Sequence, residues 1–393
     1  MSRQPKGTRT LGGREGERVE RCRKVFFETF SAYGYQPFYA PGLQLFESAW
    51  EKLPPGFRKR LIPVYTPSGE PCFLRADLTL AAVAYLSSHF SPQERPLRVC
   101  YAGPLYRAPI PPENDFEKMQ FGAELLGWEG QGADVEVIAL LLRSLRRLGI
   151  HSPVVVLGHA GFLRESLSRL DRTLSSLLTL ALLERRYEAF FNALGEAHLP
   201  SGTEDPLFQL PYLRGNASRV LKEATRLFGE TQPLRDLSLI VEALEELGLG
   251  ENLRLDLALA RELGYYSGPV FEIFSGSAGF SLGGGGRYDG LLEQYGIVGQ
   301  ALGFGLDLRT VASLSRFEGP TPAVAWCGEL SPRVALERAD DFIASGYRIE
   351  LSWQENREGA IQLARSRNYS WWIDLPACTA YPLDSMEGEE SGC

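Results

Sequence analysis

A leucine-rich stretch at residues 159–251 interrupts a chain whose flanking segments have the pattern of β-structure. Before it come short runs of β-branched and aromatic residues separated by Pro and Gly, such as "QPFYAP" and "LRVCYAGPLYR". After it, strand-like patterns return with "LRLDLALARELGYYSGPVFEIFSG". The interrupting stretch itself has the leucine-rich pattern of helices. The sequence therefore predicts an α+β fold, in which an antiparallel sheet flanked by helices carries a helical insertion between its two parts.

The pattern changes again after about residue 320, where strand and helix signals alternate from "AVAWCG" to "YSWWIDL". This alternation predicts a small C-terminal βαβαβ domain with parallel strands. The last residues are polar and acidic, as is typical of a disordered tail. We therefore expect five parts: the first part of the sheet core at 1–158, the helical insertion at 159–251, the second part of the core at 252–316, the small α/β domain at 317–377 and the acidic tail at 378–393.

The charge of the chain makes nucleic acid an improbable partner. The net charge is −8, and residues 317–393 alone contain 13 acidic residues against six arginines and no lysine, a net charge of −7. A surface that binds RNA must neutralise phosphates, and an acidic surface repels them.

The number and spacing of the cysteine, histidine and apolar residues argue against a metal-binding, secreted or membrane protein. The six cysteines form no CxxC pair and there are four histidines, so we expect no metal site and a reducing, cytoplasmic location. The sequence has no run of 18 apolar residues, and its basic beginning has no apolar core. We therefore expect neither a membrane span nor a signal peptide of the usual form.

Three motifs are candidates for a site, and each has a structural alternative. The stretch "GGGGRYDG" is compatible with a backbone phosphate cradle or with strands that approach closely, and no Lys-Ser or Lys-Thr follows it as in a P-loop. Gln120 and Glu124 lie four apart in a predicted strand, so both point to one face, as ligands or as surface residues. Tyr265 and Tyr266 point to opposite faces, which favours a core position for one of them.

Taken in order, these segments resemble the catalytic domain of class II histidyl-tRNA synthetases over roughly residues 5–315. "PKGTR" is similar to the opening of that family, "GYQPFYAP" to its motif 1 and "LRADLT" to its amino-acid-binding stretch. "GPLYR" through "QFGAELLG" resembles motif 2, and "ALGFGLDLR" resembles motif 3. The histidine-specific signature is matched by "DLALARELGYYSGPVFE" together with "GGGGRYDGL".

This resemblance implies an intact histidine pocket, with Asp77 placed to receive the α-amino group. The positions that match the pocket, and that we predict to bind histidine, are Asp77, Arg107, Gln120, Glu124, Arg261, Tyr265, Tyr266 and Tyr288.

The positions that would hold ATP depart from the family pattern. The motif 2 glutamate that holds adenine is replaced by Pro109, the later motif 2 arginine falls at about Phe116, and the motif 3 arginine is replaced by Leu308. If the motif 3 register is shifted to use Arg309, its side chain is misdirected. Because fixed guanidinium groups are the usual donors to a triphosphate, we expect no useful adenylation and no cofactor.

A histidine pocket without ATP-binding residues resembles the regulatory subunits of ATP phosphoribosyltransferase. The resemblance implies a non-catalytic partner of the short-form catalytic subunit, with L-histidine as the effector. It also implies a homodimer through motif 1, which ends at Pro41, and a hetero-octamer as one possible assembly with the catalytic subunit. Two alternatives stay open: a divergent histidyl-tRNA synthetase, favoured by Arg107 and Arg261, and a tRNA-binding or kinase-regulating paralogue.

Overall fold

The computed structural model describes most of the chain, and it divides into two compact units, residues 1–316 and 317–393. The described residues are 4–53, 55–90, 96–110, 114–197, 205–261, 265–276, 279–316 and 320–383.

The first unit contains helices on both sides of the insertion and within it. Those of the core are α1 (Gly13–Ser31), α2 (Phe46–Ala49), α3 (Pro55–Arg58), α4 (Leu78–His89), α5 (Gly132–Arg147), α12 (Asp289–Glu293) and α13 (Leu308–Leu314). Those of the insertion are α6 (Ala160–Leu167), α7 (Arg172–Leu183), α8 (Tyr187–Glu196), α9 (Pro206–Gln209), α10 (Ala217–Phe228) and α11 (Gln232–Glu246).

The strands of the first unit form two sheets. They are β1 (Gln36–Pro37), β2 (Leu43–Leu45), β3 (Pro63–Tyr65), β4 (Pro71–Leu74), β5 (Leu97–Tyr106), β6 (Glu117–Leu126), β7 (Pro153–His159), β8 (Arg214–Gly215), β9 (Leu253–Asp256), β10 (Pro269–Ser275), β11 (Ser281–Arg287) and β12 (Ala301–Asp307). The large sheet has the order β1-β5-β6-β12-β11-β10-β7-β9-β8, and the small one the order β2-β4-β3.

Strands from both sides of the insertion form one sheet, as the sequence predicts. Strand β7 precedes the insertion and β10 follows it, and they pair antiparallel from Pro269 opposite His159 to Ser275 opposite Pro153. The centre of the sheet is antiparallel, whereas β1 pairs with β5 and β7 with β9 in parallel. The predicted α+β fold is confirmed, with a sheet that is mixed near its edges.

Aromatic side chains attach helix α1 to the central strands. The rings of Phe26 and Phe121 stack with their centroids 4.7 Å apart, and the centroids of Phe30 and Phe304 are 5.5 Å apart. All four side chains are buried. Burial of a side chain of this size contributes roughly 1.5 to 3 kcal/mol, so this contact fixes β6 and β12, the strands that carry the candidate site.

Among its described residues, the insertion contains helices and one short strand. Strand β8 pairs antiparallel with β9, which extends the large sheet at its edge. Helix α11 buries Leu237, Ile240, Val241 and Leu244 at helical spacing, as expected for an amphipathic helix on a core. The strand was not predicted, because two residues are too few for a periodic signal.

The second unit is a four-stranded sheet with two helices. Its elements are β13 (Thr321–Trp326), α14 (Pro332–Ala344), β14 (Tyr347–Ser352), α15 (Arg357–Ser366), β15 (Trp371–Asp374) and β16 (Thr379–Pro382). The first three strands are parallel, in agreement with the βαβαβ pattern. Strand β16 pairs antiparallel with β15, so the expectation of a tail from residue 378 is wrong at its start. The rest of the predicted tail, 384–393, lies outside the described residues.

Membrane-crossing helices and metal-binding clusters are both missing from the part of the chain that the structure describes. None of the helices there combines the length and the apolar character needed to cross a membrane. Among the same residues, no three His, Cys, Asp or Glu side chains are grouped so that they could hold a metal ion.

Candidate functional site

A cavity of about 410 Å³ lies over the centre of the large sheet, between β6, β11 and β12 and the segment before β10. Seven of the eight predicted site residues line it, namely Asp77, Arg107, Gln120, Arg261, Tyr265, Tyr266 and Tyr288. The sequence motifs are far apart in the chain, and the sheet brings them together.

Glu124 is the predicted residue that does not line the cavity. It is completely buried behind the wall, and its carboxylate accepts hydrogen bonds from Thr79 Oγ1 at 2.7 Å, Tyr101 OH at 2.6 Å and Tyr288 OH. Thr79 and Tyr288 do line the cavity. Glu124 therefore holds two groups of the wall in place.

Burial dominates the electrostatics of Glu124. It raises the pKa of the carboxyl group to about 8, although the hydroxyl groups of Thr79, Tyr101 and Tyr288 oppose the shift and Asp77 adds to it. Near neutral pH the folded protein accordingly keeps a proton on Glu124 for much of the time. A positive charge entering the cavity would favour release of that proton.

Asp77 caps helix α4 at the edge of the cavity. Its Oδ1 accepts from Leu80 N at 2.8 Å, and its Oδ2 lies 3.6 Å from Arg107 Nη2. Burial raises the pKa of Asp77, while Arg107 and the backbone N–H groups lower it. Arg107 is itself fixed, since its Nε donates to Ala76 O and its guanidinium lies 4.6 Å from the centroid of the Phe57 ring. The carboxylate is thus held on a rigid helix end facing the cavity.

Glycines in β12 make room for the polar side chains. Gly303 is the direct partner of Glu124 across the strands, and a Cβ atom at position 303 would lie 1.5 Å from Glu124 Oε2. A Cβ at Gly305 would lie 2.3 Å from Gln120 Nε2. Real side chains never approach so closely, so these two glycines are required by the polar residues beside them.

The stretch "GGGGRYDG" forms β11 and the start of α12. Its residues from Gly283 to Arg287 pair with β12 on one side, and Gly283 to Gly286 pair with β10 on the other. Their backbone groups are therefore engaged in a central strand and do not form a phosphate cradle. Of the two interpretations, that of closely approaching strands is confirmed.

The two tyrosines share the cavity wall. Tyr265 is buried and Tyr266 half-buried, with ring centroids 5.1 Å apart, and Tyr265 meets Tyr288 edge-on at 5.7 Å. Both face the cavity because they precede β10 and are not part of a regular strand. The expectation that one of them belongs to the core is therefore incomplete, since the buried one also lines the site.

Residues of the insertion and of β10 complete the site, and the sequence analysis missed them. Arg185, which follows α7 and has a φ of 56°, lies with its Nη2 2.7 Å from Glu272 Oε2. Glu272 Oε1 lies 3.1 Å from Arg261 Nη1. This ion-pair bridge joins the insertion to the histidine-signature segment. Glu272 is part of the quoted "VFE" motif, but nothing in the sequence around Arg185 indicates its contact.

Three residues at or beside the positions that depart from the family's ATP-binding pattern have their contacts outside the cavity, namely Phe116, Leu308 and Arg309. Leu308 is fully buried at the start of α13, and Arg309 contacts Asp115 Oδ2 at 3.3 Å and Glu117 O at 3.3 Å. Neither residue lines the cavity. Phe116 N donates to Gly7 O at 2.7 Å, so this position of motif 2 is tied to the "PKGTR" segment. The missing arginines are thus not replaced by Arg309.

Comparison with known proteins gives two consistent results. The histidyl-tRNA synthetase family model matches residues 7–311. The ATP phosphoribosyltransferase regulatory subunit of Bacillus subtilis is 30% identical over 392 residues, covering 95% of this chain and 97% of the relative. That of Bacillus velezensis is 31% identical over 321 residues, covering 78% and 79%.

Solved structures agree with this result. A Bacillus halodurans protein described as an ATP phosphoribosyltransferase regulatory subunit/histidyl-tRNA synthetase has a TM-score of 0.81 and 27% identity, covering 95% of this chain and 98% of that one. The histidyl-tRNA synthetase of Nostoc shares the fold with a TM-score of 0.78 at 17% identity, covering 98% of both chains. This chain, built on the histidyl-tRNA synthetase fold, therefore belongs to the family of ATP phosphoribosyltransferase regulatory subunits, and both resemblances noted in the sequence are confirmed.

Proposed function

We propose that this chain is the non-catalytic regulatory subunit of an ATP phosphoribosyltransferase complex in the cytoplasm. Its partner is the short-form catalytic subunit, which it activates and through which L-histidine inhibits the reaction. The observation that carries the proposal is a cavity lined by the family's histidine-binding residues in a chain with Leu308 at the motif 3 arginine position. A site that binds free histidine without consuming it is suited to sensing.

In this proposal the α-ammonium group of histidine binds at Asp77, on the helix end that Arg107 supports. The imidazole lies among the tyrosines and meets the hydroxyl groups of Thr79 and Tyr288, which Glu124 orients. Gln120 and Arg261 supply further polar contacts. The pocket thus offers a carboxylate for the ammonium group of histidine and an aromatic wall for its imidazole ring.

The proposed homodimer forms through the motif 1 region and the small sheet next to it. Large apolar side chains are exposed there: Tyr39 and Tyr65 are 77% and 75% exposed, and Leu43 and Leu45 are 46% exposed. Such a group of apolar side chains is typical of a protein interface. A larger complex, of which a hetero-octamer is one form, then arises when the catalytic subunit joins.

The test is reconstitution with the short-form catalytic subunit. We expect the mixture to make phosphoribosyl-ATP from ATP and phosphoribosyl pyrophosphate faster than the catalytic subunit alone, and histidine to inhibit the mixture. Asp77→Asn should reduce inhibition by histidine and leave activation in place, whereas Asp341→Asn, an exposed change in the second unit, should alter neither. A mixture that is no more active than the catalytic subunit alone would contradict the proposal.

A divergent histidyl-tRNA synthetase is the second candidate, favoured by the matching family model and by Arg107 and Arg261 in the cavity. The two functions are separated by histidine-dependent exchange of pyrophosphate into ATP. We expect no exchange above background, because each lost charge-assisted contact to ATP removes roughly 1.5 to 3 kcal/mol. Robust exchange would favour the synthetase.

A further inference from the structure

A second polar cavity of about 200 Å³ lies at one end of the large sheet. It is formed where β7 and β11 end and where β10 and β12 begin, with α11 of the insertion on its other side. The residues that line it are Gly130, Gln131, His159, Asp236, Ser267, Gly268, Pro269, Arg287, Asp289 and Gln300. None of them belongs to the predicted histidine site.

The ring of His159 has a fixed orientation in this cavity. Its Nδ1 accepts from Gly161 N at 3.1 Å and Phe162 N at 3.3 Å, at the start of α6. Nδ1 therefore carries the lone pair, and Nε2 carries the hydrogen. Burial lowers the pKa of His159 to about 4, although Asp236 opposes the shift, so the ring is neutral at pH 7.

The Nε2–H group of His159 is an unsatisfied donor. The residue is 5% exposed, and Nε2 has no hydrogen-bond partner among the described residues. Asp236 Oδ2 lies 3.6 Å away, which is too far for a hydrogen bond. Leaving a buried polar group without a partner costs about 1 to 3 kcal/mol, so the position favours an occupant that accepts from Nε2–H.

Two carboxylates of the cavity wall, Asp236 and Asp289, can accept hydrogen bonds from an occupant. Asp236 is held by the amides of Gln131 and Gln232, each 2.8 Å from Oδ1, which leaves Oδ2 on the side of His159. Asp289 accepts from Ala301 N at 2.8 Å through Oδ1. Both carboxylates line the cavity. A suitable occupant thus both accepts and donates hydrogen bonds.

The charged groups that line the cavity disfavour an anion and a simple cation. Arg287 already donates hydrogen bonds to both oxygens of Asp134, to Gln300 and to Gly130 O, so its guanidinium group is not available to an anion. The carboxylates of Asp236 and Asp289 would in addition repel an anion. A cation without an acceptor atom cannot satisfy His159 Nε2–H. A neutral hydroxyl group can accept from Nε2–H and donate to Asp236 Oδ2.

We propose that this cavity is a binding site for a neutral, hydroxyl-rich small molecule or moiety of the pentose or polyol class. One hydroxyl bridges His159 Nε2–H and Asp236 Oδ2, and another donates to Asp289. The cavity is several times larger than the ~30 Å³ that one water molecule occupies, so it has room for a small organic molecule. The site is separate from the proposed histidine site, and its test does not depend on that function.

The test uses NMR of the full chain labelled at its four histidines, with the His159 signals assigned from a His159→Gln variant. D-ribose is the probe, and inorganic phosphate and ethylamine are the ionic controls. We expect ribose to shift the His159 ring signals in a saturable manner. Asp236→Asn, which keeps the oxygen that Gln131 and Gln232 contact, should weaken ribose binding about tenfold or more. Asp341→Asn should leave it unchanged.

Three results would overturn the proposal. His159 signals that do not move at the highest soluble ribose concentration would mean that water alone fills the cavity. A saturable shift caused by phosphate or ethylamine would mean that the site is ionic. Equal ribose affinity of the native protein and a folded Asp236→Asn variant would place the binding elsewhere. The first two results come from the native protein, so they decide the matter even if that variant does not fold.

Discussion

Glu124→Gln tests the electrostatics of the buried network behind the cavity. In the folded chain burial raises the pKa of Glu124 from its ordinary value of 4.5 to about 8. A carboxyl group with a raised folded pKa contributes stability that is fully present below 4.5 and is lost as the pH rises towards 8. Glutamine does not titrate, and its Oε1 can still accept from Thr79 and Tyr101. The variant should therefore escape this loss.

The size of the effect follows from the two pKa values. Each pH unit between the folded and unfolded pKa values corresponds to about 1.4 kcal/mol of stability. The range from pH 5 to pH 8 covers most but not all of the shift from 4.5 to about 8, so the native protein should lose roughly 3.5 kcal/mol relative to Glu124→Gln over this range. Urea unfolding of both proteins at several pH values in this range measures the difference directly.

Glu136→Gln is the matched control, because its effect has the opposite sign. Burial would raise the pKa of Glu136, but hydrogen bonds from Arg98 and Tyr35 outweigh it, and the pKa is lowered. The stability that Glu136 provides is therefore present above its ordinary pKa and is lost as the pH falls through the folded pKa. If the free energies of unfolding of the native protein and Glu124→Gln run parallel from pH 5 to pH 8, Glu124 does not titrate with a raised pKa and the reasoning is refuted.

Three further predictions concern the ligand and the assembly. Glu124→Ala should weaken histidine binding in calorimetry by about 1.5 to 3 kcal/mol and leave the dimer intact, because Thr79 and Tyr288 lose the acceptor that orients their hydroxyl groups; equal affinities would show that this orientation does not support the site. Histidine binding should release protons and strengthen as the pH rises towards 8, because the ligand's ammonium group favours the ionised form of Glu124. Calorimetric heats of binding that do not depend on the ionisation enthalpy of the buffer would contradict this. Leu43→Asp should give a monomer in light scattering, whereas Leu336→Asp, at a similarly exposed leucine in the second unit, should not; a dimeric Leu43→Asp would place the interface elsewhere.

The sheet and the insertion were predictable because their signals are local and long. Runs such as "LRVCYAGPLYR" have a strand pattern over many residues, and β5 spans Leu97–Tyr106. Strand β16 was missed because Thr379–Pro382 is short and lies in a polar region, and its evidence is the pairing with β15. Pairing across a sheet is a tertiary contact that residue pattern alone does not contain.

The site residues that belong to sequence motifs could be predicted. Those that depend on contacts between residues far apart in the chain could not. Asp77 and Tyr288 were found through their motifs and do line the cavity. The position of Glu124 behind the wall depends on Thr79 and Tyr101, which reach it from α4 and β5. The contact of Arg185 with Glu272 spans 87 residues, and it forms because the end of α7 lies over the sheet.

The glycines of β12 have a consequence for how relatives are compared. Gly303 and Gly305 have no side chain with which to bind histidine, yet a methyl group at either position would collide with Glu124 or Gln120. A relative could keep every polar residue of the cavity and still be unable to arrange them, if it carried alanine at one of these positions. The proposed histidine site is therefore better recognised in a relative from glycine at both positions together with the polar residues than from the polar residues alone.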